Sequence, residues 1–138
     1  MIVKKQHTDG YWIYFDDAAK GDCRHEVSEQ IDAMAWLKEF YPEARKLTFH
    51  VPNESDSKPQ HRASLQQQGV TSGVSDIVTL CGYGGVFEMK RDVKAKSSVS
   101  KEQRDFLANA VSQKKFAALC YGASVFKQAW LDYLSTFN

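Results

Sequence analysis

Residues Gly69 to Lys90 read GVTSGVSDIVTLCGYGGVFEMK, and the fold is decided there. Two short apolar runs, IVTL and GVFEM, flank the glycine-rich stretch Cys81-Gly82-Tyr83-Gly84-Gly85. Such a pattern predicts a β-hairpin. Side chains alternate faces along a strand, so Glu88 and Lys90 share one face. A hairpin folded at the glycines sets the start of its first strand beside the end of its second. Asp76 then meets Glu88 and Lys90, and two carboxylates converge with one ammonium. Carboxylate oxygens suit a hard cation such as Mg²⁺, which takes few protein ligands and keeps several waters. An ion of that kind polarises a phosphoryl oxygen and acidifies a bound water, and a neighbouring lysine can orient that water or stabilise developing negative charge. The same residues also fit a plain surface strand, with Asp76 serving the turn before it.

Working outward, the 138 residues suit one domain with one substantial core. Apolar runs are too short for a membrane span, and the first residues lack the apolar core of a signal peptide. The expected location is therefore cytoplasmic, with no membrane partner. The three cysteines, Cys23, Cys81 and Cys120, form no CxxC pair, which supports neither a zinc ribbon nor a disulfide framework. Net charge is +1, but it is unevenly spread. Met1 to Pro42 carries more acids than bases. The stretch from Lys90 to Arg104 holds Lys90, Arg91, Lys94, Lys96, Lys101 and Arg104 against only Asp92 and Glu102. That basic stripe suits a phosphate backbone, and equally a solvated loop and helix face.

Upstream, Ile2–Gln6 and Tyr11–Phe15 bracket Asp9-Gly10 and predict an N-terminal hairpin whose aromatics pack on the domain or on a second subunit. A helix is expected from Arg24 to Tyr41, with Val27, Ile31, Met34 and Leu37 as its apolar stripe, Trp36 and Phe40 widening it, and Pro42 stopping it. Glu26 lies one turn before Gln30 on the same side; it also suits a first helical turn as a complement to the helix dipole. Leu47–Val51 reads as a strand and Pro52-Asn53-Glu54 as a loop. Pro59–Gln68 reads as a short helix carrying Arg62 and closed by Gly69. Downstream, Ser100 and Gln103 form an S-x-x-Q capping box opening a helix to Lys114, with Phe106, Leu107, Ala110 and Val111 inward. That cap alone is also a sufficient reading of Gln103. Phe116–Tyr121 is a continuous apolar run, as expected of a buried strand parallel to the Glu88 strand. A last helix runs over Ala123–Leu134, with Val125, Phe126, Trp130, Leu131 and Leu134 as its apolar side.

This order of elements, with Glu26, Asp76, Glu-x-Lys at Glu88 and Lys90, and Gln103, resembles the PD-(D/E)XK nuclease superfamily and, more narrowly, its VRR-NUC (virus-type replication-repair nuclease) family. The resemblance covers Glu26 to the C-terminus. It rests on PNE at Pro52–Glu54, Arg62, GVTSGVSD at Gly69–Asp76, FEMK at Phe87–Lys90 and SKEQRDFL at Ser100–Leu107. The proline usual before the catalytic aspartate is Ser75 here. The resemblance implies an α/β fold with a restriction-endonuclease-like core, αβ(α)ββαβα, whose mixed central sheet is flanked by helices and preceded by the hairpin. It implies one nuclease domain over residues 1–138, with a hairpin extension at 1–16 and a core at 24–134. It further implies a Mg²⁺- or Mn²⁺-dependent endonuclease acting on branched DNA such as Holliday junctions, as in small homodimeric phage or bacterial resolvases. Asp76 and Glu88 would hold the metal, and Glu26, chosen over Glu29, would reach it directly or through water. Lys90 would position the attacking water, and Gln103 would line the site beside it. Arg62, Arg91, Lys94, Lys96, Lys101 and Arg104 would grip DNA. Alternatives are a non-catalytic DNA-binding module on the same fold, a nuclease preferring flap or duplex substrates or RNA, and an interaction protein whose acids are mere surface.

Overall fold

A computed structural model describes residues 1–52 and 58–138; Asn53 and Glu54 of the PNE motif lie outside the described residues. Six strands form one mixed sheet: β1 (Ile2–Gln6), β2 (Trp12–Asp16), β3 (Thr48–His50), β4 (Ile77–Thr79), β5 (Gly85–Lys90) and β6 (Phe116–Tyr121), in the spatial order β1-β2-β6-β5-β4-β3. The N-terminal hairpin β1–β2 is antiparallel, and β2 joins the sheet by pairing parallel to β6. The β4–β5 hairpin is antiparallel, while β6 runs parallel to β5 as the intervening helix requires.

Five helices flank the sheet: α1 (Glu26–Phe40), α2 (Pro42–Arg45), α3 (Pro59–Gln67), α4 (Lys101–Ser112) and α5 (Ala123–Ser135). Strand β6 is buried on both faces, which explains its unbroken apolar run. Phe116, Ala118 and Cys120 enter a core with Phe87, Leu37, Phe126, Trp130 and Tyr133, on the side covered by α1 and α5. Ala117, Leu119 and Tyr121 enter a second, smaller core with Val86 and Leu107 of α4. Alternation along β5 therefore sends Phe87 and Met89 to the α1/α5 side, and Val86, Glu88 and Lys90 to the α4 side.

Several expectations are corrected. Helix α1 buries Glu29, Ala33 and Leu37, not the stripe begun by Val27 and Ile31, which are 68% and 61% exposed. Ala33 and Leu37 enter the main core, and Leu37 is shared by both registers. Phe40 is likewise exposed. On α5, Leu131 points outward and Tyr133 inward, where its hydroxyl donates to the Cys81 carbonyl and accepts from the Gly84 N–H. Pro42 does end α1, but it also opens α2 from a first-turn position where its missing N–H costs nothing. The turn after β5 contains a short 3₁₀ segment at Lys94–Lys96. Gly69 closes α3 as expected: at φ +107° it lets its own N–H reach Gln66 O and the Val70 N–H reach Leu65 O, a Schellman arrangement. All three cysteines are free. No helix among the described residues is long and apolar enough to cross a membrane.

Candidate active site

The register of the β4–β5 hairpin builds the site. Ile77 faces Phe87, so Asp76, one residue earlier, falls opposite Glu88. The Asp76 carboxylate is pinned there by the Met89 N–H, which donates to its Oδ2 at 2.8 Å. Its backbone carbonyl is held from the other side by the Val51 N–H at 2.9 Å and by His50 Nδ1 at 2.8 Å. Ser75, the residue before Asp76, is fully buried.

Glu88 is 1% exposed. Its Oε1 accepts from Gln103 Nε2 at 3.0 Å, and its Oε2 is buried with no hydrogen-bond partner. Lys90, also buried, donates from Nζ to Gln103 Oε1 at 3.1 Å and lies 4.0 Å from Glu88 Oε1. Burial first, and then the charge of the adjacent Asp76 carboxylate, push the Glu88 pKa far above the ordinary carboxylate range. Lys90 opposes that shift and Glu26 adds to it.

Gln103 both caps its own helix and bonds Glu88 and Lys90. The capping box forms: Ser100 Oγ accepts from the Gln103 N–H at 3.1 Å, and the Ser100 N–H donates to Gln103 Oε1 at 3.0 Å. With Oε1 facing two donors, Ser100 N and Lys90 Nζ, the amide must turn its NH₂ toward Glu88. The helix cap thereby sets the orientation of the residue that bridges Glu88 and Lys90. Gly73 brings the preceding loop onto the same turn. A Cβ there would lie 2.3 Å from the Glu102 carbonyl oxygen, and φ is +77°, so only glycine allows this approach.

Glu26, the first residue of α1, is solvent-exposed and acts on Glu88 through its charge. Glu29 is occupied elsewhere: Oε1 accepts from the Ala123 N–H at the start of α5 at 3.2 Å, and Oε2 lies 3.5 Å from Arg24 Nε. Among the described residues, no three His, Cys, Asp or Glu side chains converge closely enough to hold one ion. The Asp76–Glu88 pair itself fits a divalent cation: two adjacent carboxylates, one carrying an unpartnered buried oxygen, match the small oxygen-ligand count of Mg²⁺ or Mn²⁺.

The site opens into a cleft of about 710 Å³ lined by Arg62 and Gln66 of α3, the loop at 69–74, and Ser100 and Gln103 of α4. Gln66, whose Nε2 reaches Ser72 Oγ at 3.4 Å, carried no signal in the sequence. The basic candidates are dispersed. Lys101 pairs with Asp105 at 2.7 Å, Arg104 donates to the Val99 carbonyl at 2.8 Å, and Arg91 bonds His25 Nδ1 at 3.2 Å. Lys94 lies over the Phe15 ring, and Lys96 is exposed.

No protein-family model matches the sequence, and no curated protein is significantly similar to it. Among solved structures, a chain described as "VRR_NUC domain protein" superposes with a TM-score of 0.69 over 85% of this chain and 92% of its own, at 18% identity. At that identity the match speaks for the fold. The chain has the fold of a VRR-NUC domain protein, as its motifs led us to expect.

Proposed function

We propose that this protein is a divalent-metal-dependent endonuclease that hydrolyses phosphodiesters in branched DNA such as Holliday junctions, working as a homodimer. One observation carries the reading: Asp76 and Glu88 lie side by side at the open end of the β4–β5 hairpin, with Lys90 held against them through Gln103. The shared fold with a VRR-NUC domain protein supports it. Asp76 and Glu88 would hold Mg²⁺ or Mn²⁺, with Glu26 assisting through water. When bound, the ion supplies Lewis-acid polarisation of the phosphate and an acidified water. To receive it, Glu88 gives up the proton that its buried position favours. Lys90, its Nζ steadied by Gln103 Oε1, then orients the attacking water and offsets charge building on the phosphate.

Arg62 at the cleft, with Arg91, Lys94, Lys96, Lys101 and Arg104 around it, would contact the sugar–phosphate backbone, so that substrates are chosen by shape more than by base sequence. A two-fold dimer would present two such centres to two strands. The test is incubation of labelled four-way junction, flap and duplex DNA with wild type and Lys90→Ala, in Mg²⁺ and in Mn²⁺. Junction cleavage by wild type alone is the expected result. Junction binding without cleavage in either metal would leave only a DNA-binding module.

A further inference from the structure

The N-terminal hairpin, which lies outside the family resemblance, brings two lysines to one aromatic ring. Lys5 Nζ of β1 is 5.6 Å from the centroid of Phe15, and Lys94 Nζ, from the turn after β5, is 4.7 Å from the same centroid. Among the described residues, neither lysine pairs with a carboxylate. A cation over a ring is favourable, but one ammonium is enough for that. Bringing in a second like charge costs free energy unless an anion joins them. Partial desolvation first, and then the facing Lys5 ammonium, push the Lys94 pKa down.

The register places this pair relative to the proposed active site. Lys5 is opposite Ile13 in the β1–β2 ladder, and Ile13 and Phe15 pack with Val86 and Tyr121 on the α4 side of the sheet. Glu88 and Lys90 project from that same face. Tyr14 is level with Cys120, and Lys90 with Tyr121, so Phe15 lies level with Lys90, two strands away. At about 4.8 Å between neighbouring strands the two backbone positions are roughly 10 Å apart, so one nucleic-acid strand can reach both.

We propose that Lys5 and Lys94 jointly seat a single backbone phosphate of the bound strand, on the same sheet face as Glu88 and Lys90, making the hairpin part of the nucleic-acid surface. The phosphate bridges the two ammonium groups, and Phe15 forms the floor. This rests on the nucleic-acid reading given above, and it adds Lys5, which the basic stripe alone does not include.

Two measurements test it. In the first, labelled junction DNA is titrated at several salt concentrations with wild type, Lys5→Gln, Lys94→Gln and the double variant, with Lys38→Gln as control. One shared phosphate predicts that each single variant and the double lower the salt slope by about the same amount, near 1, and weaken binding uniformly across sequences. An unchanged slope, or a double variant losing about twice as much as either single, would overturn the shared seat while leaving the nuclease reading intact. In the second, the lysines are reductively ¹³C-methylated and inorganic phosphate is added. The Lys5 and Lys94 resonances should move together, and each should stay still in the other's Gln variant. That result in a protein that binds no DNA would keep the seat and reject the nuclease reading; independent or absent movement would reject the seat.

Discussion

The Lys90 ammonium donates to the side-chain oxygen of Gln103 across 3.1 Å, and that oxygen is oriented by the cap of its own helix. Gln103→Ala removes the bridge and half of the capping box together, so cleavage should fall by 10² or more if Lys90 needs this support. Ser100→Ala tests the cap alone. It should cost about 1 kcal/mol of stability and lower kcat more than it raises KM, because Lys90 would be less well held. Thermal melts and steady-state cleavage, run on both variants, check this; unchanged kcat in Gln103→Ala would remove the residue from the site.

Glu88 supplies a pH signature in the metal-free protein. Its folded-state pKa is raised above the ordinary 4.5, so the fold binds this proton more tightly than the unfolded chain does. Its contribution to stability is therefore fully present below about pH 4.5 and declines steadily as pH rises toward the folded-state value of about 10. Glu88→Gln should raise the Tm of the metal-free protein at pH 8 by several degrees, on the order of 2 kcal/mol, and flatten its pH dependence. Mg²⁺ should stabilise wild type more at pH 8 than at pH 5 and leave Glu88→Gln nearly unmoved. Calorimetry across pH with EDTA or Mg²⁺ measures both.

Glu26 and Glu29 separate cleanly. Glu29 accepts the first N–H of α5 from a buried position, so Glu29→Ala should destabilise the fold by roughly 1–3 kcal/mol. Glu26→Gln, at an exposed site, should change stability by less than about 0.5 kcal/mol yet weaken Mg²⁺ binding. Denaturant unfolding and isothermal titration of both variants decide it; equal stability losses would erase the distinction.

Gly73→Ala would drive a methyl group into the Glu102 carbonyl at a left-handed backbone position. Destabilisation above about 1 kcal/mol and impaired cleavage are expected, since the loop carrying Asp76 and the turn carrying Gln103 are pressed apart. Near-wild-type activity would show that this close approach is dispensable.

Much of this arrangement was legible in the chain. The hairpin register that brings Asp76 to Glu88 follows from two apolar runs around a glycine cluster, and the unbroken Phe116–Tyr121 run announced a strand covered on both faces. The face of α1 was only partly legible: Leu37 is buried as its spacing suggests, but Val27 and Ile31 are exposed and Ala33 and Glu29 are buried in their place. Pro42 reads as a stop, and it takes the structure to show that it is also a start. The neighbourhood of Lys5 and Lys94 was likewise hidden, because it depends on a strand from one end of the chain lying next to one from the other.

That same pairing bears on how the protein tolerates truncation. Among the described residues, β2 is the strand that shields one flank of FAALCY at Phe116–Tyr121. Cutting away the first sixteen residues would bare a row of unsatisfied amides and carbonyls on the greasiest ribbon in the molecule, an invitation to stack with other copies. The hairpin thus doubles as a guard against self-association, and a shortened chain should precipitate before its chemistry can be judged.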